Sequence, residues 1–220
     1  MRALATRGAC SRDSAHISLT LGDVSSPQTN PSDGGPEEFR EAVASLRSVT
    51  IRPEVTLEPI RAPQRLAPYS YALGAEVLVD PESEVAEANG RLVLLHDPDG
   101  DEAWNGTLRL VSYVSATIEP EMATDPALSD ASWTWLTDAL SQAGAEYTAL
   151  GGTVTKTASQ RYGDLAGPEA TNDLEMRSSW TALSSDLSGH LRAWVDLLAS
   201  AAGAPPPGVS LIVRHSPTSA

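Results

Sequence analysis

From Thr107 to Glu119 apolar and polar residues alternate regularly: Leu108, Leu110, Val114, Ala116 and Ile118 share one parity, while Arg109, Tyr113, Ser115, Thr117 and Glu119 share the other. A period of two marks a half-buried strand, and Pro120 stops it. Upstream, Leu92 to Leu95 lead into Asp97-Pro98-Asp99-Gly100, where proline presets one φ and glycine supplies a positive one. That pairing predicts a tight reversal and therefore a hairpin. Asn105-Gly106 gives a second turn or bulge signal, and Trp104 shares parity with Leu108, as in one strand carrying a glycine bulge.

Helical periods flank this block. Phe39, Ala42, Val43 and Leu46 follow Pro36 at intervals of three and four, which predicts a first helix ended near Arg52-Pro53. Trp133, Leu136, Leu140 and Ala143 mark the buried stripe of a second helix, with Ser129 or Asp130 as its cap and Gly144 as its exit. Trp135 lies to one side of that stripe. A buried Trp133 would cost roughly 3–5 kcal/mol on truncation to alanine. Asp186 caps a third helix with Leu187, Leu191, Trp194, Val195 and Leu198 inward, closed by Gly203 and Pro205 to Pro207.

Between the helices, Val55 and Leu57 offer a short strand next to a proline-rich stretch, and Tyr71, Leu73, Ala75, Val77 and Val79 alternate as a longer one. Tyr147 to Leu150 is ambiguous and Gly151-Gly152 reads as a hinge or turn. Thr153 to Tyr162 is β-branched, with Val154 and Ala158 inward. Leu174, Met176, Trp180 and Ala182 give one further strand with a single apolar face. The order is α-β4-α-β2-α with short connections between neighbouring strands. It predicts an α+β domain of two layers, helices packed on one face of a twisted, mainly antiparallel sheet. Residues 1–35 read as a disordered tail, 36–204 as the single domain, and 205–220 as a proline-rich exit and tail with a short apolar run at Leu211 to Val213.

Charge narrows the functional classes. The chain of 220 residues carries a net −14, and fifteen acidic residues against Arg91 and Arg109 between Glu76 and Glu146 account for −13 of it. Such a surface repels phosphate backbones, which argues against direct nucleic-acid or anionic-membrane binding. One cysteine, Cys10, excludes an intramolecular disulfide framework, and no apolar leader or spanning segment is present in the sequence. A reducing, cytoplasmic location is the expectation.

No P-loop, dinucleotide glycine fingerprint, nucleophile elbow or paired-histidine zinc motif occurs. Asp97-x-Asp99-x-Asp101 resembles the opening of a calcium loop, but Glu102 stands where a glycine is needed and Leu108 where a bidentate glutamate belongs. No metal or cofactor is therefore expected. Glu119, Glu121 and Asp125, with His96 as base, are the candidates for a carboxylate-lined catalytic pocket. Asp97, Asp99, Asp101, Glu102, Trp104 and Trp135 are the candidates for an acidic, aromatic binding face. The second fits a non-enzymatic protein-binding or adaptor module, engaging a protein partner or its own copy; a small-molecule enzyme or ligand sensor is the alternative.

Four segments carry a resemblance: RPEVTLEPIRAPQRLAPYSYAL, GRLVLLHDPDGDEAWNGTLRLVSYV, EPEMATDPALSDASWTWLTDAL and HLRAWVDLLASAAGAPP. They resemble the actinobacterial family called domain of unknown function 3000, over roughly Phe39 to Gly208. The resemblance implies a cytoplasmic protein of a high-GC bacterium and brings no catalytic residues or cofactor. The element order is also similar to that of secretion-chaperone-like folds, which are acidic, dimeric protein binders.

Overall fold

The computed structural model describes residues 34–80, 85–165 and 171–205. The predicted tail 1–35 falls almost entirely outside the described residues, as do Cys10 and the run Leu211 to Val213. The elements in chain order are α1 (Glu37–Arg47), β1 (Val55–Ile60), β2 (Tyr69–Val77), β3 (Ala88–Asp101), β4 (Gly106–Thr117), α2 (Pro120–Thr124), α3 (Leu128–Gln142), β5 (Tyr147–Ser159), β6 (Thr171–Ala182) and α4 (Ser188–Ala201). The six strands form one sheet in the order β1-β2-β3-β4-β6-β5, antiparallel at every pairing.

The alternation along β4 sets the layering. Leu108, Leu110, Ser112, Val114 and Ala116 are buried beneath the helices, and the intervening residues face the other way. The same parity continues in β3 through Leu92 and Leu94, and in β6 through Leu174, Met176 and Trp180. Together with Phe39 and Leu46 of α1, Leu136 and Leu140 of α3, and Leu191, Trp194 and Leu198 of α4, these side chains make one core. The architecture is the two-layer α+β arrangement that the periodicity predicts.

Near the core's centre Trp180 donates its Nε1–H to His190 Nδ1 at 3.0 Å, and both residues are buried. Burial lowers the His190 pKa to about 4, and its position in the first turn of α4 adds to the disadvantage of a positive charge. At ordinary pH the imidazole is the neutral acceptor that the indole needs.

Several local expectations change. The strand β3 runs straight through Asp97-Pro98-Asp99-Gly100, and the pairing with β4 loses register between His96 and Asp101 instead of reversing there. The chain turns at Glu102 to Asn105, with Asn105 at φ +56° and the Trp104 and Asn105 N–H groups bonded to the Asp101 carbonyl. Gly100 does take the positive φ its position suggests, +75°, but it shapes an irregular strand end. Trp104 therefore belongs to the turn and not to β4. The loop before α3 holds the short helix α2, and α3 starts at Leu128, so neither Ser129 nor Asp130 caps it; the Asp125 carboxylate accepts the Ala127 N–H just ahead at 2.8 Å. Gly151-Gly152 lies inside β5, where the register with β6 shifts between Thr148 and Gly151.

The stripe of α3 is also rotated. Its buried positions are Leu128, Ser132, Leu136, Ala139 and Leu140, leaving Trp133 and Trp135 half-buried on either side. Trp133 rests on the sheet where Gly152 has no side chain: a Cβ there would lie 2.9 Å from the indole. Because only part of the ring leaves water, Trp133→Ala should cost about 2 kcal/mol, below the range for a fully buried tryptophan. A denaturant-midpoint series checks it, and a loss as large as that of a core tryptophan would show the ring to be more deeply packed.

Candidate functional site

The described helices lie on one face of the sheet, so the other face carries no helical layer of the described residues, and on it Ala72, Leu95 and Thr181 are buried while Arg91, Val111 and Arg177 are exposed. Cross-strand register arranges its side chains in rows. One row runs Ile60, Ala72, Val93, Val111, Ser179, Gly151 across all six strands, and is apolar or small throughout. The next runs Glu58, Gly74, Arg91, Tyr113, Arg177, Thr153. Val111 is 37% exposed, uncommon for valine at the middle of a central strand.

The polar groups of this face brace one another. Arg177 lies over the Tyr113 ring at 5.6 Å from its centroid and donates Nε–H to Glu175 at 2.7 Å. The Tyr113 hydroxyl donates to the other oxygen of the same carboxylate at 3.1 Å. Cation–π stacking and a charge-assisted bond thus hold the tyrosine edge and the guanidinium in fixed positions. Arg109 donates to the Ala149 carbonyl, Thr181 Oγ1 and Ser179 Oγ, all neutral oxygens, and burial pulls its pKa below the usual arginine value. Its charge is compensated only by dipoles, which leaves it able to attract a carboxylate.

Two shallow hollows follow from the missing side chains. One of about 630 Å³ opens over β4, β5 and β6, among Val111, Tyr113, Gly151, Thr153, Arg177 and Ser179. The other, about 550 Å³, lies over β1 to β3 among Glu58, Arg61, Gly74, Glu76, Asn89 and Arg91. Across the whole face four arginines (61, 91, 109, 177) stand against four carboxylates (Glu58, Glu76, Asp173, Glu175), a balance far from that of the chain as a whole. The net acid lies elsewhere on the molecule.

The residues singled out from sequence separate into different places. Asp97, Asp99, Asp101, Glu102 and Trp104 do gather at the β3–β4 tip, but Asp97 and Asp101 turn back to accept the Asp99 and Ala103 N–H groups at 3.1 and 2.8 Å. Trp104 is half-buried and its carbonyl accepts from Thr181 Oγ1. Trp135 sits far along the chain on α3, packed against the small buried cluster of Ile118, Leu128 and Leu174. The tip thus has acid and one half-buried tryptophan, Trp104, while Trp135 packs elsewhere.

The catalytic candidates are also apart. His96 is fully buried, with Nδ1 3.2 Å from the Thr107 carbonyl and 3.7 Å from Glu38, and its ring forms a triangle with those of Phe39 and Tyr69. It pairs with Leu108 at one end of β4, while Glu119, Glu121 and Asp125 follow the opposite end beyond Thr117, a span of about 30 Å at the usual strand rise. All three carboxylates are exposed. His96 and these carboxylates do not form one site. Among the described residues no group of three or more His, Cys, Asp or Glu side chains is placed to share a metal ion.

With the geometry in place, the family can be stated. The sequence model of a family described as "Protein of unknown function (DUF3000)" matches residues 35–210. The chain belongs to this family. No curated protein and no solved structure matches it. The DUF3000 match takes in every strand of the sheet and all the helices, so the open face is built wholly from the family's own segment. Among the described residues of this DUF3000 chain, no helix is long and apolar enough to cross a membrane.

A signal for this face was present in the sequence. Strands that expose one face to water carry threonine, lysine and glutamate at the outward positions, whereas β3 and β4 place Arg91, Val93 and Arg109, Val111, Tyr113 there. Apolar and arginine-rich residues on the outward parity are the mark of a surface that meets something other than water.

Proposed function

We propose that this DUF3000 protein is a non-enzymatic protein-binding or adaptor module of the bacterial cytoplasm, and that its partner docks on the open face of the sheet. The observation that carries the reading is the row Ile60, Val93, Val111 beside the row Arg91, Tyr113, Arg177 on a face that no helix of the described residues covers. Interfaces pair an apolar centre with aromatic and arginine anchors, and these rows supply both. The matching partner segment is apolar along one line and carries carboxylates along its flank. The acid of the remaining surface works through charge: it holds off nucleic acid and steers a basic region of the same partner toward the face. The dispersal of His96 from Glu119, Glu121 and Asp125 supports binding over catalysis.

Reversing both exposed arginines, R91E with R177E, is expected to weaken the complex at least tenfold, because each change removes an attraction and adds a repulsion. Reversing the tip, with Asp99, Asp101 and Glu102 all changed to lysine, is expected to slow association and leave the dissociation rate within a factor of about three. Surface plasmon resonance with the partner recovered from the native organism separates the two. Equal binding by the R91E/R177E protein and the parent would overturn the assignment.

A further inference from the structure

The two edges of the sheet are unlike. At one end β1 has six residues and includes Glu58 and Pro59, features that blunt pairing by charge and by loss of an N–H. At the other end β5 has thirteen residues, no proline and a single charge, Lys156. That lysine does not guard the edge, since its Nζ donates to the Ala123 and Asp125 carbonyls on the helix side. Within the described residues, β5 pairs only with β6, so its outer row of backbone N–H and C=O groups meets no strand.

We infer that β5 pairs antiparallel with β5 of a second copy about a two-fold axis, joining two sheets into one of twelve strands. This stands apart from the open-face reading. A strand that pairs with itself antiparallel makes an isologous, closed contact, which stops at two copies. Charge favours this occupant. Two chains of −14 repel over most of their surfaces, and β5, where thirteen consecutive residues contain no acid, is where they approach at least cost. Gly151 and Thr153 of β5 also line the hollow over β4 to β6, so the seam runs alongside it.

Sedimentation of the full chain over a range of concentrations, with hydrogen exchange on the same sample, tests this. The expected result is twice the chain mass and slow exchange at alternate amides of β5, including those that do not pair with β6. Adjacent residues of an edge strand point their N–H groups alternately inward and outward, so of Val154→Pro and Thr155→Pro one keeps the β6 ladder intact; that variant should fold and sediment at half the parent mass. A monomer at every concentration overturns the inference, whether β5 is unprotected or is protected by another segment of the same chain. So does a dimer whose β5 amides exchange freely.

Discussion

Replacing Trp180 with alanine is expected to remove about 3–5 kcal/mol of stability and to lower the thermal midpoint by roughly 10 °C or more. Trp180 is fully buried in β6, opposite Leu110, and its ring lies 6.3 Å from that of His190. The truncation opens a cavity and also strands the His190 Nδ1 without its donor, in a place water does not reach. Trp180→Phe fills most of the volume and removes only the donor, so about 1–3 kcal/mol is expected from the unpaired acceptor alone. Denaturant titrations of the two variants check both figures. A loss in W180F as large as in W180A would assign the effect to the hydrogen bond and not to the packing.

The same pair makes stability depend on pH. His190 titrates near 6.5 in the unfolded chain and near 4 in the fold, because burial disfavours its cation. Its contribution is complete above about pH 6.5 and is lost as pH falls toward 4, since the unfolded chain takes up a proton that the native state refuses. The slope is about 1.4 kcal/mol per pH unit, and the whole window amounts to about 3 kcal/mol. Asp186, which faces the imidazole, raises its pKa slightly, and the carboxylate's own depressed pKa, set first by the Ser188 backbone N–H, acts only below this window. Asp196 works the other way near pH 4, because burial raises its pKa. Comparing the parent with His190→Gln cancels these other groups. The parent is expected to lose stability faster than the variant between pH 6.5 and 4, and parallel curves would show that His190 does not titrate as its burial requires.

The parts of this fold that were legible in the sequence are those where one face of an element alone meets the core. Strand β4 shows it most clearly, because Leu108, Leu110, Val114, Ala116 and Ile118 share one parity and the structure buries each of them. Helices α1 and α4 show it too, with Phe39 to Leu46 and Leu191 to Leu198 buried at helical spacing. The failures have physical causes. Asp97-Pro98-Asp99-Gly100 has the composition of a reversal, but β3 pairs with β2 up to His96 and the strand continues through the irregularity, so the ladder overrode local turn preference. Trp133 is as large as any side chain on α3, yet Ser132 takes the buried position and Trp133 lies half-buried against the sheet, over Gly152, where the absence of a side chain admits the ring.

The candidate site was less legible than the fold. Acid clustered in sequence drew attention to the β3–β4 tip, while the open face assembles single residues from β3, β4 and β6 that are far apart in the chain and adjacent only through register. Which parity of a strand meets water and which meets a second layer follows from the count and placement of helices. Here those helices all pack on one side, and the outward parity of every strand becomes a single surface.

Hydroxyl-radical footprinting of the chain, alone and with the partner that co-purifies from its own organism, tests that surface most directly. Tyr113 and Val111 lie on the open face, Trp104 at the acidic tip, and Met122, 40% exposed, on α2. Docking on the open face predicts that labelling of Tyr113 and Val111 drops severalfold in the complex while Trp104 and Met122 label as before. Protection of Trp104 with Tyr113 unchanged would contradict it and move the binding face to the tip.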